Sequence, residues 1–171
     1  LESLTHHSGR SVFEWARHCL LGYARSQPAR AARAVLAAAQ TAVAQHAYAQ
    51  AWSLLQSPIG EALEQDLEPS TTTSELLRGY LPPEDHRAFY RVRGMAAFNT
   101  DRIGEAILDF EAALERTTAV LERSALRAQI AQATIVSLNT VAGAKQLELA
   151  FEELGQPLPS TLHGDPTALQ A

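Results

Sequence analysis

EDHRAFYRVRGMAAFNTDRIGEAILDFEAALE, residues 84–115, is the stretch that decides the fold. Phe89, Tyr90, Val92, Gly94, Ala97 and Phe98 recur at helical spacing. The polar run Asn99-Thr100-Asp101 breaks the pattern, and Ile103, Ala106, Ile107, Phe110, Ala113 and Leu114 resume it. Two amphipathic helices joined by a tight turn account for this pattern. The small residues Gly94, Ala106 and Ala113 would let the two helices approach closely. A hairpin of this size has too little core to stand alone, so it is expected to stack on others.

Working outward, the chain reads as helical throughout. Ser11-Val12-Phe13-Glu14 fits a capping box, opening a helix that carries Phe13, Ala16, Leu20 and Tyr23, with Trp15 and Cys19 beside them. Pro28 suits the first turn of a second, alanine-rich helix reaching Gln45. Tyr48, Ala51, Trp52 and Leu55 form one face of a third, over 48–56. Residues 59–67 read as a short helix, EPSTTTS (68–74) as an exposed loop, and Ser74 as the cap of a short helix through Tyr80. Pro83-Glu84-Asp85 places acids at a helix start, where the dipole favours them.

Past the central hairpin, residues 118–138 form a long helix with Val120, Leu121, Leu126, Ile130, Thr134, Ile135 and Leu138 as its apolar positions. Val141–Leu154 form the last, with Gly155 suited to its C-terminal cap. The expected organisation is a flexible lead-in at 1–10, a helical domain at 11–155 and a Pro/Gly-rich tail at 156–171.

Composition sets the outer limits. The chain has 171 residues, 46% of them hydrophobic and 19% charged, which describes a folded chain. A net charge of −5 argues against general nucleic-acid binding. Basic residues are nearly all arginine, Lys145 being the only lysine. The single cysteine, Cys19, excludes an intrachain disulfide and is expected to be a buried thiol. No run is apolar enough to span a bilayer, and no signal peptide is visible. The chain begins at Leu1, which reads as a segment of a longer protein or a processed one.

Residues 84–115 resemble a tetratricopeptide repeat. Tyr90, Gly94, Ala106, Phe110 and Ala113 fall in that motif's register, with Arg93 in place of its leucine and Ala97 in place of its second aromatic. Upstream, Val35, Ala39, Tyr48, Ala51 and Leu55 align with the same positions, and Pro58 ends the unit early. Downstream, Ala131, Gly143 and Ala150 align with Gly94, Ala106 and Ala113, and Arg127 replaces the aromatic. The resemblance implies an all-α fold, an irregular TPR-like array (α-solenoid) of about three helical hairpins plus capping helices. The segments RAVLAAAQTAVAQHAYAQAWSLLQ (33–56) and LELAFEELGQPLP (147–159) are also similar to the helical repeats of large bacterial signalling ATPases of the STAND type, which implies a cytoplasmic regulatory module.

No Gly-rich phosphate loop, HExxH, GxSxG or paired zinc ligands occur; His6 and His7 are adjacent and could not share a helical face, and His18, His46, His86 and His163 are widely spaced. The expectation is a non-catalytic chain with no cofactor and no metal. Asp109, Glu111, Glu115 and Glu122 read as a solvated helix face, and His86 as packing against Tyr90. In tetratricopeptide arrays the first helix of each repeat lines a concave face. By that register the resemblance places Leu36 and Gln40, then Arg91, Met95, Phe98 and Asn99, then Gln132 and Val136 on the partner-binding face. The residues expected to pack the repeats are Ala39, Ala51, Gly94, Ala106, Phe110, Ala113, Ala131, Gly143 and Ala150.

The expected function is a scaffold for a protein or peptide partner, without nucleic acid or membrane. Two alternatives stand beside it. One is a module sensing a small molecule or peptide. The other is a self-association domain, giving a homo-oligomer through an exposed apolar face such as that of Trp15.

Overall fold

The described part of the chain is all-helical. The structure, a computed structural model, describes residues 9–23, 26–56 and 78–157. Seven helices lie wholly within it: α1 (Gly9–Tyr23), α2 (Pro28–Ala44), α3 (Tyr48–Leu55), α4 (Pro83–Phe98), α5 (Ile103–Glu115), α6 (Val120–Val136) and α7 (Thr140–Glu153); residues 78–80 are helical as well. Each packs on its neighbour in sequence, and α2 also meets α4. The expected helix at 59–67, the loop at 68–74, the Ser74 cap and all but the start of the tail lie outside the described residues. Helix α1 starts two residues before Ser11, so Ser11 is inside the helix rather than at its cap, and residues 1–8 of the expected lead-in lie outside the described residues. Helix ends commonly differ by this much.

Proline explains two of the starts. Pro28 and Pro83 both sit in first turns, where a missing N–H costs nothing. The alanines of α2 explain how it can be packed from two sides. Ala31, Ala34 and Ala38 face Ala16 and Cys19 of α1. Ala32, Val35, Leu36, Ala39 and Ala42 face the main core, which holds Ala51, Leu55, Phe89, Tyr90, Ala106, Phe110, Ala113, Leu126 and Ile130. A bulkier row on either face would push a neighbouring helix away.

The three hairpins α2–α3, α4–α5 and α6–α7 turn in the same way. His46, Asp101 and Leu138 each adopt positive φ, at 59°, 61° and 66°. In each case the next residue donates its N–H five residues back: Ala47 to the Ala42 carbonyl, Arg102 to Ala97 and Asn139 to Thr134. That residue then starts the second helix with nearly the same dihedrals, φ −87° and ψ 58°, φ −96° and ψ 61°, φ −98° and ψ 71°. The same left-handed closure ends α7, with Gly155 at φ 66° and the Gln156 N–H on the Phe151 carbonyl. Glycine adopts that conformation without the strain a Cβ brings. A side chain at Leu138 does meet that strain, and it is also 90% exposed.

Within the hairpins the approach is as close as the small residues allow. A Cβ built on Gly94 would lie 2.7 Å from the Phe110 ring. Gly143 is held the same way against Ile135 and the Ala131 carbonyl. Ala39, Ala51, Ala106, Phe110, Ala113, Ala131 and Ala150 are buried, as are Gly94 and Gly143. Contacts between residues on opposite sides of the turn and at similar distances from it, Gly94 with Phe110 and Gly143 with Ala131, make both hairpins antiparallel.

Several expected core positions of the third unit are on the surface. Val120, Leu121, Ile135 and Leu138 are exposed, as are Val136, Val141 and Leu154. Helix α6 is covered by α5 and α7 along one stripe only, the one holding Leu126, Ile130, Ala131 and Thr134, so apolar positions off that stripe meet solvent.

Candidate functional site

Helices α2, α4 and α6, the first of each hairpin, supply one continuous side. Arg33 on α2 donates from Nε to Asp85 Oδ2 at 2.8 Å and from Nη2 to Glu84 Oε1 at 3.3 Å. Those acids were expected only to favour the dipole at the start of α4; they also tether it to α2. Arg87, further along α4, pairs with Glu122 on α6. One turn beyond Arg87 stands Arg91, exposed and with neither an ion pair nor a hydrogen bond among the described residues.

Two open clefts meet at Arg91. One, of about 190 Å³, lies between α4 and α6 and is lined by Arg87, Ala88, Arg91, Thr117, Leu121, Glu122, Ala125, Leu126 and Gln129. The other, of about 270 Å³, lies between α2 and α4 and is lined by Gln40, Val43, Ala44, Ala88, Arg91, Val92, Met95 and Gln129. Ala88, Arg91 and Gln129 belong to both. The floor is aliphatic, and the rim carries two amides and one guanidinium, that of Arg91, without a charge partner among the described residues. Gln129 Nε2 donates to Met95 Sδ at 3.3 Å, while its Oε1 is buried without a hydrogen-bond partner.

Of the residues expected on the binding face, Gln40, Arg91 and Met95 line these clefts. Leu36 does not: it is buried in the main core. The inward turn of α2 that carries Val35 and Ala39 takes Leu36 with it. Phe98 packs against that core from its edge. Asn99 is exposed and donates from Nδ2 to the Met95 carbonyl, closing the end of α4. Gln132 and Val136 are exposed on α6 but outside both clefts. Of α6, Leu121, Glu122, Ala125 and Leu126 line the first cleft, and Gln129, three positions before Gln132, lines both. Its signal in the sequence is its place one turn from Leu126 on the side facing α4, which alignment to a repeat register passes over.

Behind the clefts, α4 is locked to α5 by a buried pair. Asp109 is 1% exposed and accepts two parallel bonds from Arg93, Nε to Oδ2 at 2.7 Å and Nη2 to Oδ1 at 2.5 Å. The Arg93 guanidinium also lies 5.3 Å from the centre of the Phe89 ring. Burial pushes the Asp109 carboxyl above its ordinary range, against the pull of Arg93. The expected solvated face thus includes one residue that is not solvated. Asp109 lies on the same helical stripe as Ala106, Phe110 and Ala113, and Arg93 fills the place of the motif's leucine in order to meet it.

The last hairpin is tied similarly. Glu153 Oε1 accepts from Arg127 Nε at 2.7 Å and Arg123 Nη2 at 2.9 Å. Burial alone would raise the Glu153 carboxyl, but hydrogen bonds from Arg127 and Arg123 outweigh it and hold the group below its usual value. His86 Nε2 lies 3.0 Å from the Leu81 carbonyl and 3.1 Å from that of Arg78. Carbonyls only accept, so Nε2 carries the proton, and the ring pins the entry to α4 rather than packing on Tyr90. Cys19 is buried, and burial raises its thiol against the opposing effect of Arg30. That is the environment of an inert structural cysteine.

Among the described residues no group of three His, Cys, Asp or Glu side chains converges as a metal site would require. No helix among them is long and apolar enough to cross a membrane. Comparisons with protein families, curated proteins and solved structures return no match.

Proposed function

We propose that the chain is a TPR-like helical-repeat array and acts as a non-catalytic scaffold, taking a protein or peptide partner along the α2–α4–α6 side. The single observation that carries this reading is the pair of open clefts that share Arg91. An open groove suits an extended polypeptide. The common turn of the three hairpins supports the repeat array, as does the resemblance of residues 84–115 to a tetratricopeptide repeat. By the weaker resemblance of residues 33–56 and 147–159, the setting is a cytoplasmic regulator of the bacterial STAND type.

Ala88 lines both clefts, so Ala88→Trp fills them together. Proteins retained from source lysate by the wild-type chain should be lost from this variant, with helix content unchanged by circular dichroism. An identical retained set for a folded variant would overturn the groove assignment.

A second reading has its own observation. Ile135, Val136, Leu138 and Val141 are exposed together around the α6–α7 turn, and Trp15 is exposed on α1. Either patch could join copies of the chain. A sedimentation mass equal to one chain at all concentrations would eliminate self-association.

A further inference from the structure

We infer that the groove recognises an extended peptide through an internal aspartate or glutamate, which docks on Arg91 while its neighbours enter the clefts on either side. This rests on the scaffold reading and names the class of partner. Two other arginines on this side are already neutralised by the protein: Arg33 by Asp85 and Glu84, and Arg87 by Glu122. Arg91 has no such partner among the described residues. Among the described residues, a chain of net charge −5 thus presents an unpaired guanidinium where its two clefts join. A carboxylate is the group a guanidinium binds with two parallel bonds.

Position decides which carboxylate. Arg91 lines both clefts, so apolar space continues on each side of it. A chain-terminal carboxylate would leave one cleft empty. An acidic side chain within a peptide lets the polypeptide run on in both directions, with small aliphatic neighbours over Ala88, Val92 and Leu126. Gln129 supplies a second element of recognition. Its NH₂ rests on a thioether, a weak acceptor, and its carbonyl oxygen has no partner. A peptide backbone offers a better donor and acceptor than either, so turning toward one costs the amide little.

The test is selection of random linear peptides, displayed with blocked C-termini, on the intact chain. The expected result is enrichment of peptides with one Asp or Glu flanked by aliphatic residues. Synthetic copies should bind about tenfold to a hundredfold more weakly to Arg91→Gln, the range for a lost charge-assisted bond. Arg17→Gln on α1 should bind like wild type. Selected peptides that lose binding to Ala88→Trp, but show no acidic preference and tolerate Arg91→Gln, would overturn the acidic inference and leave the scaffold reading standing. Binding only when the C-terminus is free would overturn the internal carboxylate. Failure to select any peptide, or full binding by Ala88→Trp, would overturn both.

Discussion

Replacing Arg93 with methionine removes both hydrogen bonds from Asp109 while keeping most of the side-chain volume. Asp109 is 1% exposed, so its carboxylate is left without a partner in a place water hardly reaches. Breaking a buried pair from one side costs about 3–5 kcal/mol. Arg93 is 22% exposed, and its removal opens a route for water, which puts the expected loss near the lower end, about 3 kcal/mol. The reverse change, Asp109→Leu, should cost less, about 1–2 kcal/mol, because Arg93 can swing its head into solvent along its stem. The double variant should lie within about 1 kcal/mol of wild type, since an apolar pair of similar volume fills the same space.

The pH dependence carries an independent sign. The folded Asp109 carboxyl titrates above its unfolded value because burial penalises its charge. Such a group contributes stability that is present below the unfolded pKa and lost as pH rises through the folded one. Without Arg93 nothing opposes burial, and the window widens upward. The deficit of Arg93→Met should be smallest near pH 4 and grow toward neutrality. Urea unfolding followed by far-ultraviolet circular dichroism at several pH values measures all of this. A loss under about 1 kcal/mol for Arg93→Met at pH 7, or one that does not change with pH, would refute the idea that this pair locks α4 to α5.

Three further outcomes follow from the packing. Leu138→Gly should raise stability by about 1 kcal/mol, as strain at positive φ is relieved and little contact is lost, and a lower urea midpoint would contradict the turn assignment. Gly94→Ala should lower stability by about 1–2 kcal/mol, since the new methyl meets the Phe110 ring and outweighs the gain in helix propensity; Gly104→Ala, with open space around it, should show only the gain. Glu153→Gln should weaken the chain at neutral pH and flatten its acid response. The folded Glu153 carboxyl lies below its unfolded value, so its stabilisation is present above the unfolded pKa and lost as pH falls through the folded one. Equal acid midpoints for the variant and wild type would remove Glu153 from that role.

Much of the architecture could be read from residue periodicity. Pro28, Pro83 and Gly155 mark helix ends that the structure repeats to within a residue or two. The small residues of all three hairpins are where helices touch. What escaped was information carried across helices. Asp109 looks like one more surface acid until Arg93 is seen 16 positions away. Leu36 fits a binding face by register alone, but the tilt of α2 against two cores buries it. Gln129 stands one turn past Leu126, a place that alignment to a repeat register passes over, and the packing of α6 beside α4 puts it in both clefts. Val120, Leu121 and Leu138 have the hydrophobicity of core residues but lie beyond the stripe that α5 and α7 cover.

The three left-handed turns at His46, Asp101 and Leu138 stand 55 and 37 residues apart. The joint inside each hairpin is thus held to one geometry, while the chain between hairpins differs in length. Spacers, labels or whole inserted domains therefore belong between the units and not within them.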